Sequence, residues 1–255
     1  MRWKLSVGVL AFILVASVIA SGCITGSSSS TKVLVVGTSA DFAPFEYKNP
    51  KTGNITGFDI SLIKLIAKKI GYKKVKIVDM SFDSLIPALQ SGKVQVVIAG
   101  MTITAKREKV VDFSIPYWTA DQDVLVRKNS NIKINSIKDL YGKKIGVETG
   151  TTGAIYVKKH VGKNATIKEY STYVAAIEAL KNGQVDVVVL DSPVAKMFAS
   201  KYPSLEVVYT IHTNEHYGIA VRKGDTKLLN QINSALKSIM NSPEWNNLVK
   251  EYFGS

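Results

Sequence analysis

Residues 100–107 run Gly100, Met101, Thr102, Ile103, Thr104, Ala105, Lys106, Arg107 and follow an apolar stretch. A guanidinium such as that of Arg107 can grip a carboxylate through two parallel N–H bonds. Thr102 offers a hydroxyl and a backbone N–H beside it. A second polar segment holds Glu148, Thr149, Gly150, Thr151, Thr152 and Gly153 between an apolar run (145–147) and a helix-like stretch. Free N–H groups at a helix start attract anions. The segment lacks the glycine and lysine spacing of a phosphate-binding loop, which excludes a nucleotide and suits a carboxylate. In the third segment, Asp191 ends an apolar run and precedes Ser192 and Pro193. It is either an N-cap or an acceptor for an ammonium group. One arginine, one aspartate and two sets of N–H donors, if brought face to face, make a site for a zwitterion.

One motif points elsewhere. His212, Glu215 and His216 match H-x-x-E-H, a zinc-peptidase pattern that needs a helix. Here it lies between strand-like runs at 205–209 and 217–221, and Asn214 marks a turn. The expectation is a loop, on which the two histidines need not share a face, so no metal site and no cofactor are assigned. No Ser-His-Asp or Cys-His constellation is apparent, and the chain is not expected to be an enzyme.

The elements that must position these residues alternate in period. Residues 33–36 form a continuous apolar run, as in a strand covered on both faces. Asp59 is expected to cap a helix whose Ile63, Ile66, Ala67 and Ile70 recur at helical spacing, with Lys68 and Lys69 in its last turn and Gly71 ending it. A strand at 75–78, a helix at 82–90 stopped by Gly92, and a strand at 94–99 follow. Such alternation argues for α/β sheets with helices on their faces. Residues 82–99 then recur as residues 173–190. Ile86, Ala88, Leu89, Gly92, Val94, Val96 and Val97 pair with Ile177, Ala179, Leu180, Gly183, Val185, Val187 and Val188. Repetition at constant spacing predicts two similar lobes. The runs at 123–127 and 217–222 are expected to join them. Lobe one is then 32–121 plus 216–255, and lobe two is 122–215. Ligands in open α/β sheets bind beyond the carboxyl ends of strands, where the repeat carries Gly100 and Asp191.

The start of the chain sets its compartment. Arg2 and Lys4 precede an uncharged, mostly apolar stretch at 5–20, followed by Ser21, Gly22 and Cys23. This reads as a signal peptide over 1–22, with an uncleaved anchor as the alternative. Residues 23–31, rich in serine, read as a flexible tether. Cys23 is the single cysteine, which excludes an internal disulfide. The net charge of +13 comes from lysines and arginines spread along the chain without a basic block. That pattern suits a solvated surface near lipid headgroups better than a nucleic-acid footprint.

Taken together, several stretches resemble the polar amino acid-binding proteins of ABC importers, the solute-binding family with glutamine, histidine and arginine receptors. They are residues 37–46, Gly57 to Asp59, residues 82–89, residues 100–107 with Asp112 and Ser114, Gly150 to Gly153, Asp191, and Tyr217 to Ala220. The likeness spans 32–254. It implies two α/β lobes with mixed sheets and two hinge strands, the periplasmic binding protein-like type II fold, closing on a ligand. It also implies a monomer outside the cytoplasm, a lipid on Cys23 anchoring it to the membrane, and an ABC permease as partner. Arg107, Thr102 and the Thr152 N–H would hold the α-carboxylate, with Thr151 beside them. Asp191 and the Gly100 carbonyl would hold the α-ammonium, Met101 lying in the same corner. Phe42 and Phe82 would flank the side chain, and Tyr217 would belong to a hinge strand. Many relatives carry an aspartate where this chain has Ser39, but Glu46 and Glu148 are available to meet a cationic side chain. The expected ligand is L-arginine, then lysine, with glutamine as the alternative. A dehydratase using a cleft carboxylate on the same fold is the more distant reading.

Overall fold

A computed structural model describes residues 32–254. The expected signal peptide, Cys23 and the tether lie outside the described residues. In the first part of the chain come strands β1 (Val33–Thr38), β2 (Asp41–Phe42), β3 (Glu46–Lys48), β4 (Ile55–Thr56) and β5 (Lys74–Asp79), with helix α1 (Phe58–Lys69) between the last two. A short 3-10 turn (Phe82–Ser84) leads into α2 (Leu85–Gln90), followed by β6 (Val96–Val97), α3 (Ala105–Glu108) and β7 (Val111–Phe113). The middle of the chain holds β8 (Trp118–Arg127), β9 (Lys144–Glu148), α4 (Thr152–His160), β10 (Thr166–Tyr170), α5 (Tyr173–Lys181), β11 (Val187–Asp191) and α6 (Ser192–Lys201). It ends with β12 (Leu205–Tyr217), β13 (Ala220–Arg222), α7 (Thr226–Met240) and α8 (Pro243–Phe253).

Two mixed sheets result, in the orders β5-β1-β6-β13-β7 and β10-β9-β11-β8-β12. Each has three parallel strands at one side and two further strands that join by antiparallel pairing at the other, so the two lobes share a plan. The chain leaves the first sheet along β8 and returns along β12, and these two strands pair antiparallel along their length. A small third sheet, β2-β3-β4, sits beside the first.

The internal repeat corresponds to equivalent structure. Helix α2 packs on β1 and β6, and α5 packs on β9 and β11. Gly92 and Gly183 both have positive φ, at 77° and 73°. Each ends its helix with the same pair of backbone bonds. Gly92 and Lys93 donate to Leu89 and Ala88, while Gly183 and Gln184 donate to Leu180 and Ala179. This is the glycine-terminated helix end in which orphan carbonyls are satisfied by the chain folding back. The apolar faces bury a core in each lobe, including Leu34, Val36, Ile63 and Ile66 in the first and Ile145, Val147, Val157 and Val189 in the second.

Three expectations about elements change. Asp59 is not a cap: Gly57 holds that position, and Asp59 lies inside the first turn, fully buried. The strand expected over 94–99 is regular only at Val96–Val97, although Gln95 and Ile98 still bond to Val35 and Gly37 of β1. The H-x-x-E-H segment is not a loop but the end of the long strand β12. There the register shifts between Ile211 and Glu215, and Asn214 takes a left-handed φ of 48°. His212 bonds to Asp121 and His216 to Thr119, each separately.

Candidate functional site

Between the carboxyl ends of the two sheets lies a small, largely enclosed cavity lined by residues of both. Each end of the repeat supplies it: Gly100 and Phe82 from the first copy, Asp191 and Tyr173 from the second. Of the residues expected from the sequence, Ser39, Phe42, Glu46, Phe82, Gly100, Thr102, Arg107, Glu148, Thr151, Thr152 and Asp191 all line it. Met101 does not. Its side chain is buried in the apolar cluster with Leu85, Val97 and Val111, because the corner turns it away from the cavity.

Arg107 sits on the short helix α3, whose start is capped by the Thr104 side chain accepting from the Arg107 N–H. Its guanidinium donates to the carbonyl of Thr102 at 2.6 Å and, across the cleft, to that of Gly150 at 3.1 Å. These bonds use part of a five-donor fork, leaving donors for a ligand. The guanidinium also lies 5.1 Å from the Phe82 ring centre. Phe82 therefore gives a face to Arg107, whereas Phe42 stacks 5.7 Å from Tyr173. The aromatic wall is Phe42 with Tyr173 rather than Phe42 with Phe82 alone. Burial lowers the Arg107 pKa to about 10, opposed by the charges of Asp191, Glu215 and Tyr173, so it stays a cation at neutral pH.

Gly100 turns the chain at φ 51°, and a Cβ there would lie 2.4 Å from the Phe42 ring. The Gly100 N–H and the Tyr117 hydroxyl both donate to Asp59 Oδ2, which explains why Asp59 is buried inside its helix. On the other lobe, Thr151 caps α4 by accepting from the Ala154 N–H. Asp191 stands at the N-cap position of α6 but makes no side-chain capping bond there. Its oxygens instead accept from Gln122, at 2.9 Å, and from the Tyr217 hydroxyl. Burial and the Glu215 charge raise its pKa to about 7 against those two bonds and Arg107.

The cavity wall also carries several acids. Both carboxyl oxygens of Glu46 and Oε1 of Glu148 are buried without a hydrogen-bond partner among the described residues. Burial first, then Asp59, pushes the Glu46 carboxyl well above the usual range. Burial, then the charges of Asp41, Asp191 and Asp83, raises Glu148 to about 10. Asp41, also in the lining, is raised to about 6 by burial. Its Oδ2 accepts from the Tyr173 N–H at 2.6 Å, across the cleft at the start of α5. Asp41 was not foreseen. Tyr173 was legible in principle, because it is the repeat partner of Phe82.

Residues 34–255 match the family Bacterial extracellular solute-binding proteins, family 3. The chain belongs to that family. Family 3 proteins are binding receptors rather than enzymes, which sets aside the dehydratase reading. Among relatives, a probable histidine-binding protein of Neisseria gonorrhoeae is 39% identical, covering 87% of this chain and 83% of its own. The arginine-binding extracellular protein ArtP of Bacillus subtilis is 35% identical over 90% of this chain and 89% of its own. Among solved structures, a P235GK mutant of ArgBP from T. maritima superposes with TM-score 0.84 at 45% identity, covering 88% and 96% of the two chains. Among the described residues of this family 3 chain, no helix is long and apolar enough to cross a membrane.

Proposed function

We propose that this protein is the extracytoplasmic receptor of an ABC importer for a cationic amino acid, L-arginine first and lysine second. The observation that carries the reading is the imbalance of the cavity wall. Asp41, Glu46, Glu148 and Asp191 line the cavity with one guanidinium, that of Arg107, and three oxygens of Glu46 and Glu148 lack hydrogen-bond partners among the described residues. An α-carboxylate on Arg107 and an α-ammonium on Asp191 use one charge each. Of the remaining acids, Glu46 and Glu148 are held neutral by burial and are left for a cationic side chain, which favours their ionised forms. A guanidinium has enough donors to serve Glu46 and Glu148 together.

The roles follow from this assignment. Arg107 and the backbone N–H groups of Thr102, Thr151 and Thr152 bind the carboxylate. Asp191 and the Gly100 carbonyl bind the ammonium, Phe42 packs against the aliphatic stem, and Ser39 borders it. Lobe one (32–121 and 216–255) and lobe two (122–215) close about β8 and β12, because contacts made only in the closed state shift the population toward it. A lipid on Cys23 tethers the monomer to the membrane beside its permease. The second reading is glutamine: a Glu148 carboxyl raised to about 10 is neutral at pH 7 and can share hydrogen bonds with a side-chain amide.

A thermal-shift screen of the twenty amino acids on ligand-stripped protein tests the proposal, since a ligand bound only by the native state raises the melting temperature by mass action. Arginine is expected to give the largest shift and lysine the next. A larger shift with glutamine than with arginine would favour the second reading.

A further inference from the structure

The glutamate of the H-x-x-E-H segment has a task that neither the zinc pattern nor the ligand contacts describe. Strand β12 is irregular where it crosses between the lobes. Asp121 on the partner strand β8 accepts from the N–H groups of Thr213 and Asn214, at 2.8 and 2.9 Å, and holds His212 through its other oxygen. A bulge of this kind re-aims the side chain that follows it. That side chain is Glu215. Its Oε2 accepts from the Thr102 hydroxyl of the first lobe at 2.7 Å and from the Thr152 hydroxyl of the second. Its Oε1 lies 3.4 Å from Gln122 Nε2, which also donates to Asp191.

A threonine hydroxyl has one hydrogen and two lone pairs. Thr102 and Thr152 both line the cavity, and both hydrogens are committed to the same Glu215 oxygen outside it. What these hydroxyls present to a ligand is therefore lone pairs, which accept from a donor and repel an acceptor. The carboxylate of a ligand is left to Arg107 and backbone N–H groups.

We propose that Glu215 is a positioning residue that sets both threonine hydroxyls as acceptors and so makes the site select for an α-ammonium group. The proposal rests on the amino acid reading above, and it concerns the end of the ligand that every amino acid shares. Glu215 is only half-buried and borders the cleft without lining the cavity, so it acts through the threonines and touches no ligand. A glutamine at 215 can donate as well as accept, which frees the hydroxyls to rotate.

The test uses calorimetry on ligand-stripped protein with two ligands, L-arginine and its des-amino analogue 5-guanidinopentanoic acid. In Glu215→Gln and Glu215→Ala, arginine affinity is expected to fall about tenfold while the analogue changes far less, the loss of a charged hydrogen bond being of that order. Ligand-free melting curves check that the variants fold. On a background carrying Thr102→Val and Thr152→Val, Glu215→Gln should leave the ratio between the two ligands unchanged, because its targets are gone. Equal losses for both ligands would overturn the proposal by reducing Glu215 to general support. Tighter arginine binding in Glu215→Ala would also overturn it, by making Glu215 a competitor for the carboxylate subsite. A wild type that ignores arginine and binds glutamine would refute the cationic reading alone. The same comparison, with glutamine and its des-amino analogue, would then decide the role of Glu215.

Discussion

Arg107 is a buried cation whose internal partners are two carbonyl oxygens and the face of Phe82. Asp191 and Glu215 act on it only through their charges, and among the described residues no carboxylate is bonded to it, which leaves its donors for a ligand carboxylate. Removing one member of a buried, hydrogen-bonded charge pair costs about 2–5 kcal/mol. Arg107→Ala is therefore expected to weaken arginine binding by about a hundredfold or more. Arg107→Lys should recover little of it, because a point charge cannot hold both carbonyls and still grip a carboxylate with a planar fork. Near-normal affinity of Arg107→Ala in calorimetry would contradict the assignment. At this scale the sequence was informative where chemistry is carried by residue type. The polar segments around Thr102, Thr151 and Asp191 announce themselves after apolar runs. It was silent where a side chain acts across the fold. Asp41 reaching the start of α5, or Glu215 reaching two threonines on different lobes, depends on contacts between residues far apart in the chain.

Elements decide whether those side chains meet. The corner at Gly100 joins the end of the β6 segment to Thr102, and its N–H is held by the buried Asp59 carboxyl. An L-residue at its φ of 51° costs about 1–2 kcal/mol by backbone sterics alone, and a Cβ would strike Phe42 at 2.4 Å. Gly100→Ala is expected to lower the unfolding free energy by at least about that amount and to weaken ligand binding as Phe42 is displaced. Denaturant unfolding with a parallel titration would check both, and unchanged values would remove the structural role given to Gly100. The helices and their glycine ends were readable from the chain because they depend on local periodicity and a local φ requirement. Gly92 and Gly183 carry the same signal in both copies. The strand crossing was harder to read. The alternation in 205–217 breaks at a bulge fixed by Asp121 on another strand, so two apparent strands around Asn214 are one. Asp59 misled for a similar reason, since its capping chemistry is used on Gly100 and Tyr117 rather than on its own helix.

On the scale of the whole molecule, two similar lobes enclose a cavity whose acids outnumber its base. Closing such a cavity with no cation inside raises the pKa of its carboxyls, and Asp41, Asp191 and Glu148 stand at about 6, 7 and 10. A cationic ligand stabilises the ionised forms and lowers those values. The bound state then holds fewer protons than the free state, so affinity must rise with pH between the bound and free values. A neutral side chain supplies only the α-ammonium and lowers fewer of them. The decisive measurement is titration of ligand-stripped protein with arginine and with glutamine, in buffers of different ionisation enthalpy around pH 7. A cationic receptor binds arginine more tightly, releases more protons with arginine than with glutamine, and gains arginine affinity as the pH is raised. Tight binding of glutamine with no heat from arginine would contradict the account.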